Sequence, residues 1–139
     1  MNNESARLAI VTQFDAALAA YPTSPKPVAQ YPNRNLVDTT TQVLPWVGLD
    51  IVNINGKQLD FNPKPLSAQY GQIVITAFCK QNSGERASGL LLDYFLPWFE
   101  LKELSGVRTQ TGMYAKSNPF KDWEGYPIVV PFWWVRVAT

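Results

Sequence analysis

Residues 70–99 constrain the fold more than any other stretch, because they indicate a buried strand, a glycine-bearing turn and an apolar helix in succession. Residues 72–79 are rich in β-branched and aromatic types, and glycines lie on either side of them. Alternation along the strand predicts two faces: Ile73, Ile75, Ala77 and Cys79 on one, and Gln72, Val74, Thr76 and Phe78 on the other. The second face is half apolar, so we expect that water does not cover all of it.

The helix after this strand is predicted to carry one broad apolar stripe. Asn82 or Ser83 is expected to cap it, since such side chains accept hydrogen bonds from the free N–H groups at a helix start. Pro97 disfavours helical geometry at the preceding residue, so we expect the helix to end or kink at Leu96. The stripe consists of residues at helical spacing: Ala87, Leu90, Leu91, Tyr94, Phe95 and Trp98.

Further elements are predicted on both sides of this core. An N-terminal helix over residues 4–20, capped by Asn3, is expected to use a face of Leu8, Val11, Phe14 and Leu18, flanked by Ile10 and Ala17. Strands are predicted at 44–54, 107–116 and 126–137, with a short one at 28–30. The order α, β, β, α, β, β predicts an α+β fold with a mostly antiparallel sheet of four to five strands and two helices on one face.

The excursion from residue 53 to residue 69 is predicted to form a protruding β-hairpin arm. Asn55-Gly56 is a strong signal for a two-residue turn, so residues 52–54 and 58–61 are expected to pair as a small ribbon. Long connections of this kind are usually functional arms or mobile loops.

The composition of the arm indicates contact with another chain. It combines charged residues at three positions, Lys57, Asp60 and Lys64, with three large apolar ones, Leu59, Phe61 and Leu66. A solvated loop has little use for large apolar groups, although a plain surface loop remains a serious alternative. We expect the arm to pack on an adjacent subunit and to be mobile in the free monomer.

Length and composition limit the architecture and the chemistry. A chain of 139 residues fits one domain, 1–139, and 46% hydrophobic residues suffice for a core. One cysteine and no histidine exclude internal disulfides and leave too few soft ligands for a structural zinc site. A lone cysteine in an apolar strand is usually a small buried residue, so Cys79 is predicted to be structural. We expect no cofactor.

The charges are scattered and nearly balanced, with a net charge of +1. A nucleic-acid-binding protein usually shows a basic stripe, and none is visible, so we expect no recognition of a specific nucleic-acid sequence. No apolar run approaches about 18 residues, and the N-terminal segment lacks the basic start of a signal peptide. We therefore expect neither membrane insertion nor export.

No pattern in the sequence indicates catalysis, so we predict that the protein is not an enzyme. Without histidine, the Ser-His-Asp and Cys-His schemes fail. Carboxylate pairs of the kind used in glycoside hydrolysis occur at two places: Asp93 with Glu100, and Asp122 with Glu124. Isolated surface acids are ordinary, so solvation is the stronger interpretation. Residues 117–125 are predicted to form a loop. Trp123 beside Phe120 on this loop could stack on a sugar, which leaves an aromatic-rich carbohydrate-binding module as an alternative.

Two adjacent tryptophans favour self-association. Trp133 and Trp134 follow each other in a strand and must point to opposite faces of the sheet. One layer of helices covers one face only, so the other needs a partner chain or a return of this chain. Self-association is the simpler account, and head-to-tail contacts naturally close into rings.

The chain resembles the phage tail terminator-like proteins, small ring-forming subunits that cap the tail tube of long-tailed bacteriophages. The resemblance rests on the N-terminal helix, a strand at 46–52, and the run YGQIVITAFCKQNSGERASGLLLDYF with its apolar strand, Gly-x-x-Ala helix start and leucine-rich helix. A polar strand, the turn DWEGYP and the hydrophobic ending VVPFWWV follow. The bulky Pro131-Phe132-Trp133-Trp134 ending departs from the family pattern.

This resemblance implies a structural role in the tail or neck of a virion assembled in the host cytoplasm. Such subunits end tube polymerisation, commonly act as hexameric rings, and contact the tail tube and the head-side connector. Another head–tail neck or completion protein is the nearest alternative. The predicted interface with a neighbouring subunit or the tube comprises Val74, Phe78, Asn55, Lys57, Leu59, Phe61, Leu66, Phe120, Trp123 and Trp134.

Overall fold

A computed structural model describes residues 1–23, 26–32 and 37–137 and gives an α+β fold. Within these residues the chain forms two helices and eight strands. In chain order they are α1 (Asn3–Ala19), β1 (Val28–Gln30), β2 (Trp46–Gln58), β3 (Leu66–Lys80), α2 (Arg86–Phe99), β4 (Glu103–Leu104), β5 (Val107–Thr109), β6 (Met113–Tyr114), β7 (Asn118–Phe120) and β8 (Trp123–Val137).

Three long strands form the centre of a mixed sheet. Its order is β1-β2-β3-β8-β5-β4, and β6 and β7 also pair with β8. The pair β1–β2 is parallel, and the other pairs are antiparallel. The short strands β7, β6 and β5 pair in turn with successive parts of β8. Pro131 lies in the gap between the β6 and β5 pairings, where its missing N–H group breaks no ladder bond on that side.

Both helices pack against one face of the sheet and share a single apolar core with it. The buried side chains of α1 are Ala6, Ile10, Phe14 and Ala17. The predicted face of α1 is therefore correct in part. Phe14 is fully buried, and Val11 and Leu18 are partly buried against the core. Leu8, however, is 56% exposed, and the predicted flanking residues Ile10 and Ala17 lie on the buried stripe itself. The two alanines on the buried stripe let the helix approach the rest of the core closely. A prediction that looks for large apolar side chains overlooks such small buried residues. Asn2, not Asn3, is the N-cap, in a reciprocal capping box with Ser5.

Helix α2 begins and ends later than predicted. Neither Asn82 nor Ser83 caps it: Asn82 and Gly84 have positive φ angles of 64° and 87° and form the turn before the helix. Glu85 is the N-cap, and its carbonyl accepts a hydrogen bond of 2.9 Å from the Ser88 hydroxyl. The helix continues through Pro97 to Phe99, because packing of its last turn in the core outweighs the local penalty of proline.

The sheet is larger and less regular than the four to five antiparallel strands predicted. The polar strand expected at 107–116 is divided into β5 and β6, and the loop expected at 117–125 contains β7 and the start of β8. Strands of two or three residues have too few positions to show an alternating pattern. They form because β8 offers an unpaired edge to the segment that runs beside it.

The predicted turn at Asn55-Gly56 is wrong. Strand β2 passes straight through both residues and pairs with β3 as far as Gln58 opposite Ser67. A β-bulge between Asn53 and Asn55 takes up the irregularity. The long partner strand outweighs the local turn preference, so the ribbon predicted between residues 52–54 and 58–61 does not form.

Candidate assembly surface

A three-stranded arm extends from one end of the sheet. It consists of residues 53–58 of β2, 66–72 of β3 and 131–137 of β8, paired in that order. Trp134 faces the core at its base, where it is 4% exposed. The hairpin in this region thus differs from the predicted one: its turn lies further along the chain, at residues 59–65, and β8 adds a third strand.

The turn at the tip of the arm, residues 59–65, is held by hydrogen bonds of its own. The Leu59 N–H group donates to the Leu66 carbonyl at 2.8 Å, which closes the hairpin. One carboxylate oxygen of Asp60 accepts from the Leu66 N–H group at 3.0 Å, and the other accepts from the Asn62 side chain at 3.2 Å. The Gln58 side chain donates to the Asp60 carbonyl at 2.6 Å. Asp60 thus organises the turn.

The arm carries five of the predicted interface residues. Asn55, Lys57, Leu59 and Phe61 are exposed, and Leu66 is half-buried at the start of β3. Phe61 has 94% of its surface exposed, an unusual position for a large apolar side chain on a turn that its neighbours hold in place. The structure brings these residues together on one projecting element, which gives the arm an apolar tip.

The sheet face that points away from the helices is only partly covered by the chain itself. We call its uncovered part the open face; it comprises Val52, Val74, Val129, Pro131 and Trp133. All but Val52 are half-buried, and the Arg108 guanidinium lies 5.7 Å from the centre of the Trp133 ring. As predicted, Trp133 and Trp134 point to opposite faces. The open face continues onto the arm and includes the predicted interface residue Val74.

The far end of this sheet face is covered by the chain's own aromatic cluster. Trp46 and Phe78 stack with ring centres 3.9 Å apart, and Trp123 meets Trp46 edge-on at 6.0 Å. The Trp123 indole N–H group donates to the Thr39 carbonyl at 3.3 Å, so the segment around residue 39 lies across the cluster. The sequence left two ways to cover this sheet face, a partner chain or a return of this chain. At this end of the face, this chain itself provides the cover.

Two predicted interface tryptophans are buried inside the subunit. Trp123 has no exposed surface and Trp134 almost none, so neither side chain can reach another chain in this conformation. Sequence reasoning placed Trp123 on a loop, but it begins β8 and pairs with Lys80, whose ammonium group lies 4.5 Å above its ring. Phe120 is exposed beside the cluster, 5.9 Å from Phe78.

A cleft of about 510 Å³ opens between this cluster and the segment at residues 37–40. Phe78 and Phe120 contribute aromatic edges, and Asp38 and Asp50 contribute carboxylates. The buried indole N–H group of Trp46 also borders the cleft and has no hydrogen-bond partner among the described residues. An unpaired buried donor is unusual, since most such groups find an acceptor.

A second depression, of about 360 Å³, lies at the end of the molecule opposite the arm, and we call it the end groove. Apolar side chains from residues between α1 and β1, from the approach to β2 and from the start of α2 line it: Tyr21, Pro27, Leu44, Pro45, Leu90 and Leu91. Leu44 and Leu90 are more than half exposed at its rim. No pattern in the sequence indicated this groove, because its three segments are far apart along the chain.

Tyr114, a titratable group with a strongly raised pKa, lies outside these surfaces. The Tyr114 hydroxyl donates to an Asp93 carboxylate oxygen at 2.5 Å. This hydrogen bond raises the pKa of Tyr114 to about 12, with burial and the negative charge of Asp93 adding to the effect. The bond joins the exposed side of α2 to β6, so it is a link between surface elements.

Neither a cluster of metal-ligating side chains nor a membrane-spanning helix occurs among the described residues. They contain no group of three or more His, Cys, Asp or Glu side chains that could hold a metal ion. Neither helix is long and apolar enough to cross a membrane.

Comparison with known proteins supports the architecture. No protein-family model and no curated protein matches the sequence. Among solved structures, one superposes with a TM-score of 0.63 over 98% of this chain and 96% of the other, at 12% sequence identity. At so low an identity the likeness concerns the fold alone, and it extends over nearly the whole of both chains.

Proposed function

We propose that this protein is a ring-forming structural subunit of the phage tail terminator type. It caps the tail tube, ends the polymerisation of the tube and presents a surface to the head-side connector. Its partners are copies of itself, in a ring of six, and the proteins on either side of that ring. The observation that carries the proposal is the arm, a projecting element with an exposed apolar tip.

The arm supports a role in assembly because its apolar tip has no purpose within the subunit. Phe61 and Leu59 lie on the turn, beyond the last paired residues of β2 and β3. Burying one aromatic side chain of this kind removes roughly 150–250 Å² from water, which favours association with another surface.

The open face supports the same role through its position. It is continuous with the arm, and its half-buried valines, proline and tryptophan form an apolar strip across two central strands. A stable interface buries roughly 800 Å² on each partner, more than the arm tip alone provides. The open face adds apolar surface next to that of the arm, so both are expected to take part in the contact.

The proposal is tested on the purified protein and on tubes. Light scattering coupled to size-exclusion chromatography is expected to give a closed oligomer, and negative-stain microscopy is expected to show rings. Added to polymerising tail tube protein of the same virus, the rings are expected to shorten the tubes. A protein that stays monomeric at its highest soluble concentration and leaves tube length unchanged would refute the proposal.

The arm is tested separately with a variant in which residues 59–65 are replaced by a glycine-rich turn of the same length. Because β2 and β3 keep all their partners, the variant is expected to fold but to form no rings. Replacement of Gln81–Gly84, the exposed turn before α2, provides a control of the same kind at the other end of β3. Normal rings from the arm variant would show that the arm is not an assembly element.

The cleft beside Phe120 gives some support to the carbohydrate-binding alternative. It combines aromatic edges with the carboxylates of Asp38 and Asp50, and small-molecule sites often use a few polar groups in an apolar hollow. Titration with neutral oligosaccharides, followed by tryptophan fluorescence, tests this second candidate. A fluorescence change lost in Phe120→Ala and Asp50→Asn would favour it over the assembly role.

A further inference from the structure

We propose that the arm tip of one copy inserts into the end groove of the next copy, with Phe61 as the anchor. This inference rests on the proposed function and deepens it by naming the receiving site. The two surfaces have matching character: the tip presents Leu59 and Phe61, and the groove is lined by apolar side chains from three segments. A groove of about 360 Å³ lies in the size range of sites that enclose a group of this kind.

The two surfaces lie too far apart to meet within one molecule. The tip connects the ends of β2 and β3, whereas the groove lies beside the other end of the same strands, next to Pro45 and the start of α2. Strand β3 has 15 residues, which at about 3.3 Å per residue separates them by roughly 45–50 Å. The end groove of one copy can therefore be filled by the arm tip of a second copy, and no other protein is needed.

This placement also determines the kind of assembly. A contact between two different patches of the same chain leaves one free tip and one free groove after each addition. Such a head-to-tail contact closes into a ring if the rotation between copies permits. The proposed ring thus follows from the position of the two surfaces at opposite ends of the central strands.

Charged residues lie near both surfaces. Asp60 and Lys64 lie on either side of Phe61 in the turn, while Lys26 lines the groove and Glu85 lies two residues before its lining residue Ala87. Each apolar surface thus has one acidic and one basic residue close to it in the sequence. Charged rims of this kind affect the orientation and rate of association more than its strength.

The test uses one variant on each side of the contact. Phe61→Ser removes the anchor, and Leu90→Glu places a charge at the rim of the groove; both side chains are more than half exposed, so both variants are expected to fold like the wild type. Each is expected to weaken self-association by roughly thirtyfold or more, the loss typical of a buried aromatic anchor. Leu8→Glu is the matched control, since Leu8 is an equally exposed helical leucine outside the groove.

Mixing the two defective variants gives the decisive result. Leu90→Glu retains an intact tip and Phe61→Ser retains an intact groove, so the mixture is expected to form a one-to-one dimer and no ring. Light scattering measures this directly. If the wild type assembles and both variants assemble equally well, or if the mixture stays monomeric, the inference is wrong while the proposed function stands. If the wild type itself never associates, the proposed function fails first.

Discussion

Gly71 lies at the base of the arm, where the structure leaves no room for a side chain. It pairs with Phe132 on one side and with Asn53, at the bulge, on the other. A Cβ atom at this position would lie 2.5 Å from the Phe132 ring and 2.5 Å from the backbone carbonyl oxygen of Val52. The Phe132 ring lies in a packed core and has little room to move, and strand pairing holds the Val52 carbonyl in place. Gly71→Ala therefore forces the backbone of the arm to shift.

The expected loss of stability follows from two opposing effects. Overpacking a core site destabilises by about 1–3 kcal/mol, and the two contacts at Gly71 place it at the upper end of that range. Replacing a strand glycine by alanine recovers about 0.5–1 kcal/mol of conformational entropy. Gly71→Ala should therefore lower the free energy of unfolding by about 2–2.5 kcal/mol.

Gly89 provides the matched control because no atom lies within 4 Å of a Cβ built there. As Gly89 is in α2, Gly89→Ala should raise stability by up to about 1 kcal/mol. Urea unfolding monitored by tryptophan fluorescence measures both changes, with an unchanged denaturant slope as the sign of an intact fold. Adding Phe132→Leu to Gly71→Ala should restore only part of the loss, because the Val52 carbonyl remains. A Gly71→Ala protein within about 0.5 kcal/mol of the wild type would refute this reasoning.

Three further predictions concern individual side chains. Trp123→Phe should destabilise by about 1 kcal/mol more than Trp46→Phe, because only the Trp123 indole donates a hydrogen bond; equal losses in urea unfolding would contradict this. Because the Asp93 carboxylate raises the pKa of Tyr114 to about 12, the stabilisation from their bond is present below pH 10 and is lost as the pH rises through 12. Absorbance titration should show the Tyr114 phenol ionising at lower pH in Asp93→Asn, and superimposable curves would exclude the effect. Cys79→Ala should lower stability by about 1 kcal/mol, and the thiol should react quickly only after unfolding, since Cys79 is 2% exposed; rapid labelling of the native protein would contradict its burial.

The sequence predicted well those elements that are long and that bury one whole face. The strand containing Ile73, Ile75, Ala77 and Cys79 was placed on the correct face, because its alternation is long and one face is fully buried. On α1 the prediction was wrong at Leu8, because the buried stripe passes through Ile10 and Ala17, which were expected only to flank it, and tertiary packing sets this rotation of the helix. The strands between residues 103 and 120 depend on the edge of β8, which no local pattern reveals.

The candidate site shows the same division between local and long-range information. The apolar residues of the arm could be identified because Leu59, Phe61 and Leu66 are close together in the sequence. The end groove could not, because Tyr21, Leu44 and Leu90 come together only through the packing of both helices against the sheet. Trp123 was assigned to the surface because a turn-like sequence surrounds it, yet pairing of β8 with β3 draws it inside.

The construction of the arm bears on how tightly copies of this protein can associate. Sequence analysis predicted an arm that becomes ordered only on its neighbour, and such ordering would reduce the affinity by the entropy lost on binding. In the structure the arm has a third strand, a bulged but continuous ladder and a turn closed through Asp60. These bonds fix the path of the backbone at the tip, so the exposed side chain of Phe61 is the main group still to be ordered by a groove that accepts it. Binding by a backbone paired in this way costs less conformational entropy than binding by an arm that becomes ordered on its neighbour.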